Sequence, residues 1–457
     1  MTPDAELQIF AVKRGMIKTR MDVNYYLPEY QNGIEKLKKA HSGKLRKISD
    51  FADVICGPFG SAIKNGDYQS AGIPLLRITN ISADGNLDYK NIKFISKKLS
   101  DKLEKTQVTK GDIVVSQRGS LGLFAIIDDL YPIFNISANL IAIKNIKDYD
   151  PEFIKNYLNS AICKKFLEQA QSGQIQSKIT TADISNILVP KKVDEKKLNR
   201  IIADGFSIYQ QKLQQAEELL AGMDEFVLDM LGIKIPSQTN IFCWAITLGM
   251  LKQANTFSPE YFNPERLAVI KTLKQSSIPI FSLEEKVKFQ RDLIDTTTSD
   301  YKFLGLASIQ SNTGERVELE EQVTGNAFKY NIQNVLYCRL RPYLNKVYFA
   351  EESGVCSTEF HVISPKDDSI LPEYLAIIMR SKLTLLQTKH MMTGNTHPRI
   401  SDKDVKALVI PVPSKKVQQK IVDEYKICTS RARQLRQEAE KEWQDAREQF
   451  EKELLGE

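Results

Sequence analysis

The stretch TGNTHPRISDKDVKALVIPVP, Thr393 to Pro413, repeats a pattern that the chain has already used in SGQIQSKITTADISNILVP, Ser172 to Pro190. Both stretches pass from a glycine through polar residues to an isoleucine, an acidic residue and an apolar run that ends in proline. Four pairs of residues keep one separation of 221 positions: Gly173 with Gly394, Ile179 with Ile400, Asp183 with Asp404, and Pro190 with Pro411. This recurrence indicates that one structural unit occurs twice in the chain.

The repetition extends along most of the sequence. NYYLPEY, from Asn24 to Tyr30, returns as NTFSPEY, and LLRITNISADG returns loosely as FLGLASIQSNTG. GDIVVSQRGS is echoed by QNVLYCRLRP, and DPEFIKNYLNS is echoed by LPEYLAIIMRS. The period of roughly 220 to 230 residues is far longer than the about 20 to 50 residues of a solenoid repeat. The sequence therefore predicts a duplicated domain.

Each copy mixes strand and helix patterns. Short β-branched runs such as IVVSQ, LIAI and ILVP lie between turn residues and predict strands. From Pro151 to Gln171 the apolar residues recur at helical spacing, which predicts a helix there. We therefore expect each copy to be an α+β domain in which sheet and helices are partly segregated.

A coiled-coil pattern follows each copy, with apolar residues at alternating spacings of four and three. The first seam contains Ile202, Phe206, Tyr209, Leu213, Ala216, Leu220, Met223 and Val227. The second contains Ile421, Tyr425, Cys428, Ala432, Leu435 and Ala439. The two helices are similar in length and close on similar sequences, FVLDMLG and FEKELLG. They are therefore predicted to pair with each other as an antiparallel coiled coil.

Bulk composition is that of a globular protein with 42% hydrophobic and 26% charged residues among 457. The net charge of +6 permits a polyanionic partner without requiring one. The opening MTPDAELQIFAVKRG lacks the pattern of a signal peptide, and no apolar run reaches the roughly 18 residues that would span a membrane. The six scattered cysteines form no CxxC pair and predict free thiols. We expect a cytoplasmic protein.

The order of these motifs resembles the specificity subunit of type I restriction-modification enzymes over essentially the whole chain. The first copy carries ICGPFGSAIKNGDY, GIPLLRITNI, GDIVVSQRGSLG and SGQIQSKITTADISNILVP in the order of a target recognition domain of that family. The second copy keeps TGNTHPRISDKDVKALVIPVP but has no clear counterpart of FGSAIKN near Gln290. The resemblance implies two tandem target recognition domains, 1–190 and 236–413, separated by long helices at 191–235 and 414–457.

The resemblance also implies a DNA reader without catalytic activity. Each domain would recognise one half of a split, asymmetric target in duplex DNA, and the helices would fix the spacing between the half-sites. The helices would also dock two adenine methyltransferase subunits, and two restriction subunits would join them. S-adenosylmethionine, ATP and Mg²⁺ would serve those partner subunits, and this chain would hold no cofactor or metal.

Loops rich in amide and basic side chains are the candidates for DNA contact, because Arg or Lys reads guanine and Asn or Gln reads adenine. The first copy offers Ser61, Lys64, Asn65, Gln117, Arg118, Gln174, Gln176 and Lys178. The second offers Arg339, Arg341, Lys346, Asn395, Thr396, His397 and Arg399. The sequence does not separate phosphate contacts from base contacts. Arg77 and Asn80, in a strand-like stretch, fit a structural role equally well.

Other interpretations remain open at this point. A glycine followed by polar residues is most often an ordinary surface turn, and a coiled-coil scaffold with two protein-binding domains would have the same layout. A catalytic role is disfavoured, because the chain has no Pro-Pro pair of an adenine methyltransferase motif and no Gly-Lys-Ser or Gly-Lys-Thr phosphate loop. The acidic LEEKVK segment fits the start of a helix better than a Mg²⁺ site of a nuclease.

Overall fold

The internal repeat corresponds to two units in a computed structural model of the chain. The structure describes residues 12, 17, 26–82, 85–117, 122–171, 178–235, 243–254, 259–295, 302–317, 319, 325–389, 391–392, 394 and 396–457. One unit is Met1–Gln211 with Ala439–Glu457, and the other is Lys212–Glu438. Each unit thus includes part of both long helices, whereas the division predicted from the sequence makes each long helix a segment of its own. The four-segment boundaries stay a prediction.

The first unit carries short helices and strands ahead of a long helix, α6 (Glu195–Met230), whose second half belongs to the other unit. The short helices are α1 (Pro28–Ala40), α2 (Lys97–Lys102), α3 (Pro151–Leu158), α4 (Ala161–Gln171) and α5 (Thr181–Ser185). The strands are β1 (Leu45–Lys47), β2 (Asp53–Cys56), β3 (Ile73–Leu76), β4 (Lys93–Ile95), β5 (Gln107–Val108), β6 (Ile113–Ser116), β7 (Phe124–Ile126), β8 (Phe134–Ile136), β9 (Leu140–Lys144) and β10 (Leu188–Pro190).

The second unit follows the same plan and ends in a second long helix, which the two units also share. The helices are α7 (Leu248–Ala254), α8 (Pro264–Gln275), α9 (Leu283–Lys286), α10 (Pro372–Arg380), α11 (Lys382–Thr388), α12 (Asp402–Lys406) and the long α13 (Lys415–Leu455). The strands are β11 (Ile280–Ser282), β12 (Val287–Gln290), β13 (Leu293–Asp295), β14 (Phe303–Leu304), β15 (Asn326–Tyr330), β16 (Val335–Cys338), β17 (Val347–Phe349), β18 (Gly354–Ser357), β19 (Phe360–Pro365) and β20 (Val409–Pro411).

The main sheet of each unit has the same strand order. It runs β2-β9-β6-β7 in the first unit and β12-β19-β16-β17 in the second, with every neighbouring pair antiparallel. A second sheet runs β4-β3-β8-β5 in the first unit and β13-β15-β18-β14 in the second. Both second sheets share one parallel pair, β3 with β8 and β14 with β18. The added edge strand lies on opposite sides, β4 beside β3 and β13 beside β15.

The repeated Pro-ended runs form matching two-stranded sheets. Leu45 is opposite Pro190 in β1 and β10, and Ile280 is opposite Pro411 in β11 and β20. A buried tyrosine hydroxyl donates to each proline carbonyl, at 3.0 Å from Tyr149 and at 2.9 Å in the second unit. Proline is tolerated there because it lies at the end of its strand, where a missing N–H does not interrupt the ladder.

The helix predicted from Pro151 to Gln171 is interrupted between α3 and α4. Asn159 lies at the break, and its side chain accepts from the Phe124 N–H at 3.1 Å and donates to the Phe124 carbonyl at 2.8 Å. The amide side chain thus holds the break against strand β7, a contact that helical spacing alone does not reveal.

The long helices pair antiparallel within each unit, which confirms the predicted coiled coil. In the first unit, Lys197 donates to Glu453 at 2.7 Å and Tyr209 to Glu440 at 3.3 Å, so position numbers fall on one helix as they rise on the other. In the second unit, Lys212 donates to Glu438 at 2.8 Å. The predicted seam residues are buried there at Ala216, Met223, Val227, Ala432 and Leu435. These buried residues form the apolar stripe that helix pairing needs.

No helix among the described residues is long and apolar enough to cross a membrane. All six cysteines are free thiols, as predicted: Cys56 and Cys243 are exposed, and Cys163, Cys338, Cys356 and Cys428 are buried.

Two glycines of α6 offer a matched test of the helix pairing in the first unit. A Cβ at Gly205 would lie 2.2 Å from the Cβ of Ala446, whereas a Cβ at Gly222 would meet nothing within 4 Å. We expect Gly222→Ala to raise the free energy of unfolding by about 0.5–1 kcal/mol, because alanine favours the helix. We expect Gly205→Ala to lower it by about 1–3 kcal/mol through overpacking, despite the same gain in propensity.

Urea denaturation of the full chain, followed by circular dichroism, measures both effects. Equal stabilisation by the two substitutions would contradict the close approach of the helices at Gly205.

Candidate nucleic-acid interface

In the first unit, three loops meet at one end of the main sheet. The Gly57 N–H donates to the carbonyl of Leu140 at 2.9 Å, which ties the loop after β2 to the start of β9. The Gln117 carbonyl, just after β6, accepts from the N–H of Ile179 at 3.1 Å. A Cβ at Gly57 would lie 2.0 Å from the Ser137 carbonyl oxygen, so this crossing requires glycine. Ile179, where the polar segment meets the described chain, is therefore fixed beside the end of β6.

The second unit repeats this arrangement with other side chains. The Ile400 N–H donates to the Arg339 carbonyl at 3.0 Å, the counterpart of the bond from Ile179. The Arg339 N–H donates to the Glu359 carbonyl at 2.9 Å, and the Arg341 N–H donates to the Pro398 carbonyl at 2.7 Å. Loops after β16, before β19 and before α12 thus converge at one end of the sheet.

A hydroxyl side chain of each repeat, Thr180 or Ser401, caps the short helix that begins at the next residue. The Thr180 hydroxyl accepts from the Asp183 N–H at 3.2 Å, and the Asp183 carboxylate accepts from the Thr180 N–H at 2.8 Å. In the second unit, the Ser401 hydroxyl accepts from the Asp404 N–H at 3.2 Å. Such reciprocal capping fixes where the helix begins and so where the polar loop ends.

Four of the side chains predicted to contact DNA in the first unit are exposed at this end. Ser61, Lys64 and Asn65 follow β2, and Lys178 directly precedes Ile179. The loop that carries Lys64 is ordered by its own backbone, because the Lys64 N–H donates to the Asp67 carboxylate at 2.7 Å. These side chains are available to a ligand, while the backbone beneath them is fixed.

Gln117 is a correction to the sequence-based assignment. Its side chain is only 4% exposed, and its amide donates to the Cys56 sulfur at 2.6 Å. The four preceding residues of β6 are also buried, so both faces of the strand are covered up to its end. Gln117 therefore supports the loop from inside and is not available as a surface contact.

In the second unit, Arg399 lies in a bidentate ion pair. Its Nη2 lies 2.6 Å from Glu359 Oε1, and its Nε lies 3.0 Å from Oε2. The Glu359 carboxylate raises the pKa of Arg399, which keeps the guanidinium charged. Thr396 and His397 are exposed on the same loop. Arg341 takes a left-handed backbone conformation, φ 49°, and its Nη2 donates to the Thr396 carbonyl at 3.4 Å.

Lys346 is the second correction. It is half-buried, and its ammonium donates to the Leu306 carbonyl at 2.6 Å. That bond joins two segments 40 positions apart, so the Lys346 side chain stabilises the fold of the unit. Four further predicted contacts, Arg118, Gln174, Gln176 and Asn395, lie outside the described residues, and their roles stay predictions.

The structure places Arg339, a predicted contact, in a polar cluster with four residues that the sequence did not single out: Gln290, Arg291, His361 and Asp402. His361 is 5% exposed, and Arg291 forms an ion pair with Asp402. Burial, followed by the charges of Arg339 and Arg291, lowers the pKa of His361 to about 3. The imidazole is therefore neutral at physiological pH, and its 3.5 Å approach to the Asp402 carboxylate is not an ion pair.

Several buried polar atoms in this region have no hydrogen-bond partner in the protein. Within the described part of the chain, six side-chain atoms are in this state. Five of them belong to the second unit: Gln290 Oε1, Arg339 Nε, Arg341 Nε, His361 Nε2 and Asp402 Oδ1. Buried polar groups are nearly always paired with protein or with water, so these are the atoms at this end of the sheet that a water molecule or a polar ligand would satisfy.

Strand register shows how the two units differ at equivalent positions. Cys56 is opposite Ile141 in the first unit, and extending the register of β12 and β19 by one residue sets Arg291 opposite His361. Gln117 and Arg339 likewise occupy the same place after β6 and β16. The first unit thus has an uncharged interior here, and the second has two arginines around a neutral histidine. The buried side chains at this end of the sheet therefore differ in charge between the two units.

Among the residues described, no group of three or more His, Cys, Asp or Glu side chains could hold a metal ion. The site offers hydrogen-bond donors and acceptors on paired loops. Such a surface is suited to recognising a patterned polar ligand, and base edges in the grooves of DNA are ligands of that kind.

Family comparison agrees with this geometry. The family model described as "Type I restriction modification DNA specificity domain" matches the chain twice, over residues 43–221 and 271–439. The chain belongs to this family, and the two matched segments follow the internal repeat.

Known proteins resemble the chain over different lengths. The specificity subunit of the type I restriction enzyme EcoBI from Escherichia coli is 27% identical over 129 residues, 28% of this chain and 27% of that protein. The HindI specificity subunit from Haemophilus influenzae is 33% identical over 95 residues, 20% of this chain and 21% of that protein. The alignments thus span about a quarter of each curated relative. A crystal structure of a type I restriction-modification S subunit from M. genitalium is 14% identical, with a TM-score of 0.39, covering 90% of this chain and 95% of that one.

The Glu359–Arg399 pair generates a salt-dependence prediction. We expect Glu359→Gln to strengthen binding of non-target duplex DNA a few-fold at low salt, because Arg399 becomes free to contact a phosphate. The plot of log affinity against log salt should steepen by about 0.9, the value for one added phosphate contact. Filter binding or fluorescence anisotropy at several salt concentrations measures the slope.

Glu351→Gln is the matched control, because it removes the same charge from the same unit at an exposed residue outside the pair. An unchanged slope for Glu359→Gln, or the same change in both variants, would show that Glu359 does not restrain Arg399.

Proposed function

We propose that this chain is the non-catalytic DNA-recognition subunit of a type I restriction-modification system. Each unit reads one half of a split, asymmetric target in duplex DNA. The observation that carries the proposal is that the two units share a backbone arrangement but differ in their side chains. The Ile179 and Ile400 hydrogen bonds occupy equivalent positions in the two units, and the residues around them differ. A reader of two unlike half-sites needs that combination.

A protein-binding scaffold explains this region less well. The exposed loop side chains, among them Lys64, Asn65 and Thr396, are polar or basic, whereas the core of a protein-binding surface is depleted in charged residues. Exposed donors and acceptors of this kind match the patterns that base edges present in the major groove. DNA as the ligand accounts for these loops.

The partners in this proposal are duplex DNA, two adenine methyltransferase subunits and two restriction subunits, in the cytoplasm. The methyltransferase subunits would use S-adenosylmethionine, and the restriction subunits would use ATP and Mg²⁺. Exposed apolar side chains on the long helices support docking of partners there. Ile427 on α13 is 62% exposed, and Ile208 on α6 is 39% exposed.

The direct test is long-read sequencing of modified adenine in cells that carry this gene with its methyltransferase, compared with cells in which this gene is deleted. The expected result is a motif of two short blocks around a fixed gap, which disappears in the deletion. An unchanged methylation pattern, with both genes expressed, would refute the proposal.

Substitutions in the two loops should act on different half-sites. We expect Ser61→Ala with Asn65→Ala to relax the first block of the motif alone, and Thr396→Ala with His397→Ala to relax the second block alone. The reason is that each pair is exposed on the loops of one unit. Loss of a bidentate base contact costs about 1–3 kcal/mol in discrimination. The same methylation sequencing reads both blocks at once.

The control is the opposite block within each variant, which should keep its sequence. Relaxation of both blocks by one pair, or of neither block by either pair, would contradict the assignment of one half-site to each unit.

The docking surface has its own prediction. Ile427→Glu should reduce co-purification of the methyltransferase subunit, because it inserts a charge into an apolar contact. DNA binding by the isolated chain should stay unchanged. Gln434→Glu, at another exposed position of α13, adds the same charge and should leave co-purification intact. Equal recovery of the methyltransferase with both variants would exclude this face of α13.

A further inference from the structure

Phe59 is conspicuous for its exposure. Among the residues that the structure describes, no large apolar side chain is more exposed, and Phe59 reaches 90%. Its loop also carries Ser61, Lys64 and Asn65, which are exposed as well. Sequence reasoning treated this loop as a set of polar contacts and passed over the aromatic ring. The only available signal was its place between proline and glycine in the segment GPFG.

The ring is held outward by a well-fixed turn. Two residues before Phe59, the Gly57 N–H donates to the Leu140 carbonyl at 2.9 Å. Pro58, between Gly57 and Phe59, restricts the backbone there. The Phe59 carbonyl accepts from the Ala62 N–H at 2.8 Å, which closes a 3₁₀ turn over Gly60–Ala62. The loop therefore presents the aromatic ring to solvent in a defined position, instead of folding it into the core.

A cavity with both polar and apolar lining lies next to the ring. It has a volume of about 330 Å³, and Phe59, Arg77, Thr79 and Asn139 are among its lining residues. Arg77 Nη2 donates to the Asn91 carbonyl at 2.7 Å, but its buried Nε has no partner in the protein. Thr79 and Asn139 are exposed. An aromatic ring, an arginine and two exposed polar side chains therefore line one space.

We propose that Phe59 stacks on a base at one step of the first half-site, as an apolar wedge in the bound duplex. This inference rests on the proposed function. It adds a contact whose sequence preference would come from how easily a base step is unstacked, and not from hydrogen bonds to a base edge. Apolar side chains inserted at a base step unstack it partly, and flexible steps yield more easily than stiff ones. The neighbouring Lys64 and the Arg77 donors would hold the flanking backbone.

Charge favours DNA over a protein partner as the occupant. The ring lies on the same loop as Lys64, next to a cavity lined by Arg77, and these cations suit a phosphate backbone. In the second copy the segment FGSAIKN, which begins with Phe59, has no clear counterpart. The wedge is therefore a property of the first unit alone.

The first experiment measures binding of the full chain to a duplex that carries its methylation target. Phe59→Ala should weaken binding roughly 5- to 100-fold, the range for losing one stacked base. The slope of log affinity against log salt should not change, because a ring releases no counterions. Lys64→Ala should instead reduce the slope by about 0.9. Unchanged affinity for Phe59→Ala, or a slope change like that of Lys64→Ala, would overturn the wedge.

Further variants separate stacking from general apolar contact. Phe59→Trp should keep most of the affinity because it keeps a stacking face, and Phe59→Leu should lose nearly as much as Phe59→Ala. Leu130→Ala is the control. Leu130 is an apolar residue of the same unit that is 57% exposed, and it is not among the residues that line the cavity. This variant should bind as the parent chain does. A Phe59→Leu variant with full affinity would show a contact without stacking and overturn the proposal.

A mismatch scan locates the step. A mismatched pair lowers the energy of unstacking, so at one position of the first half-site it should strengthen binding by the parent chain and not by Phe59→Ala. The gain should be absent throughout the second half-site. Equal gains for both chains, or loss of methyltransferase co-purification with normal DNA binding, would overturn the wedge. If the parent chain showed no preference for its target at all, the proposed function itself would fail.

Discussion

A single backbone hydrogen bond organises the recognition end of each unit: the N–H of Ile179 or Ile400 donating to the carbonyl that follows the central strand, β6 or β16. The isoleucine side chain is fully buried in each case, so burial and the hydrogen bond fix the same residue. Burial of such a side chain contributes about 1.5–3 kcal/mol. Because the loop is closed there by backbone and core, the polar side chains before it are free to differ without disturbing the fold.

The sequence predicts the scaffold of this site better than its chemistry. Three of the matched pairs have structural roles: the isoleucines anchor the loops, the N–H groups of Asp183 and Asp404 donate to the hydroxyls that cap the helices, and the prolines end β10 and β20. Residues that maintain a shared backbone have to recur in both copies. Residues that read different ligands do not, and a comparison of the copies therefore passes over them.

The errors share a physical cause, which is contact between residues far apart in the chain. Gln117 is buried because its amide meets Cys56, 61 positions away, and Lys346 is held by a carbonyl 40 positions away. The DNA contact predicted for Arg399 stays a prediction, but its ion pair with Glu359, also 40 positions away, has the same long-range origin. The local sequence pattern predicts which helix or strand a residue belongs to and roughly which face its side chain occupies. It does not give the partner across the sheet, and that partner decides whether a polar group is available.

The two units therefore differ in how ionic strength should act on them under the proposed function. The first unit combines an exposed ring with neutral and basic groups on one loop, and stacking does not depend on counterion release. The second unit holds Arg291 and Arg399 against Asp402 and Glu359, so any phosphate contact competes with an existing carboxylate. Those arginines stay ordered, but part of their charge is already neutralised. Raising the salt concentration weakens phosphate contacts and the exposed ion pairs together, so discrimination by the second unit depends on the geometry of its donors and acceptors more than on its net charge.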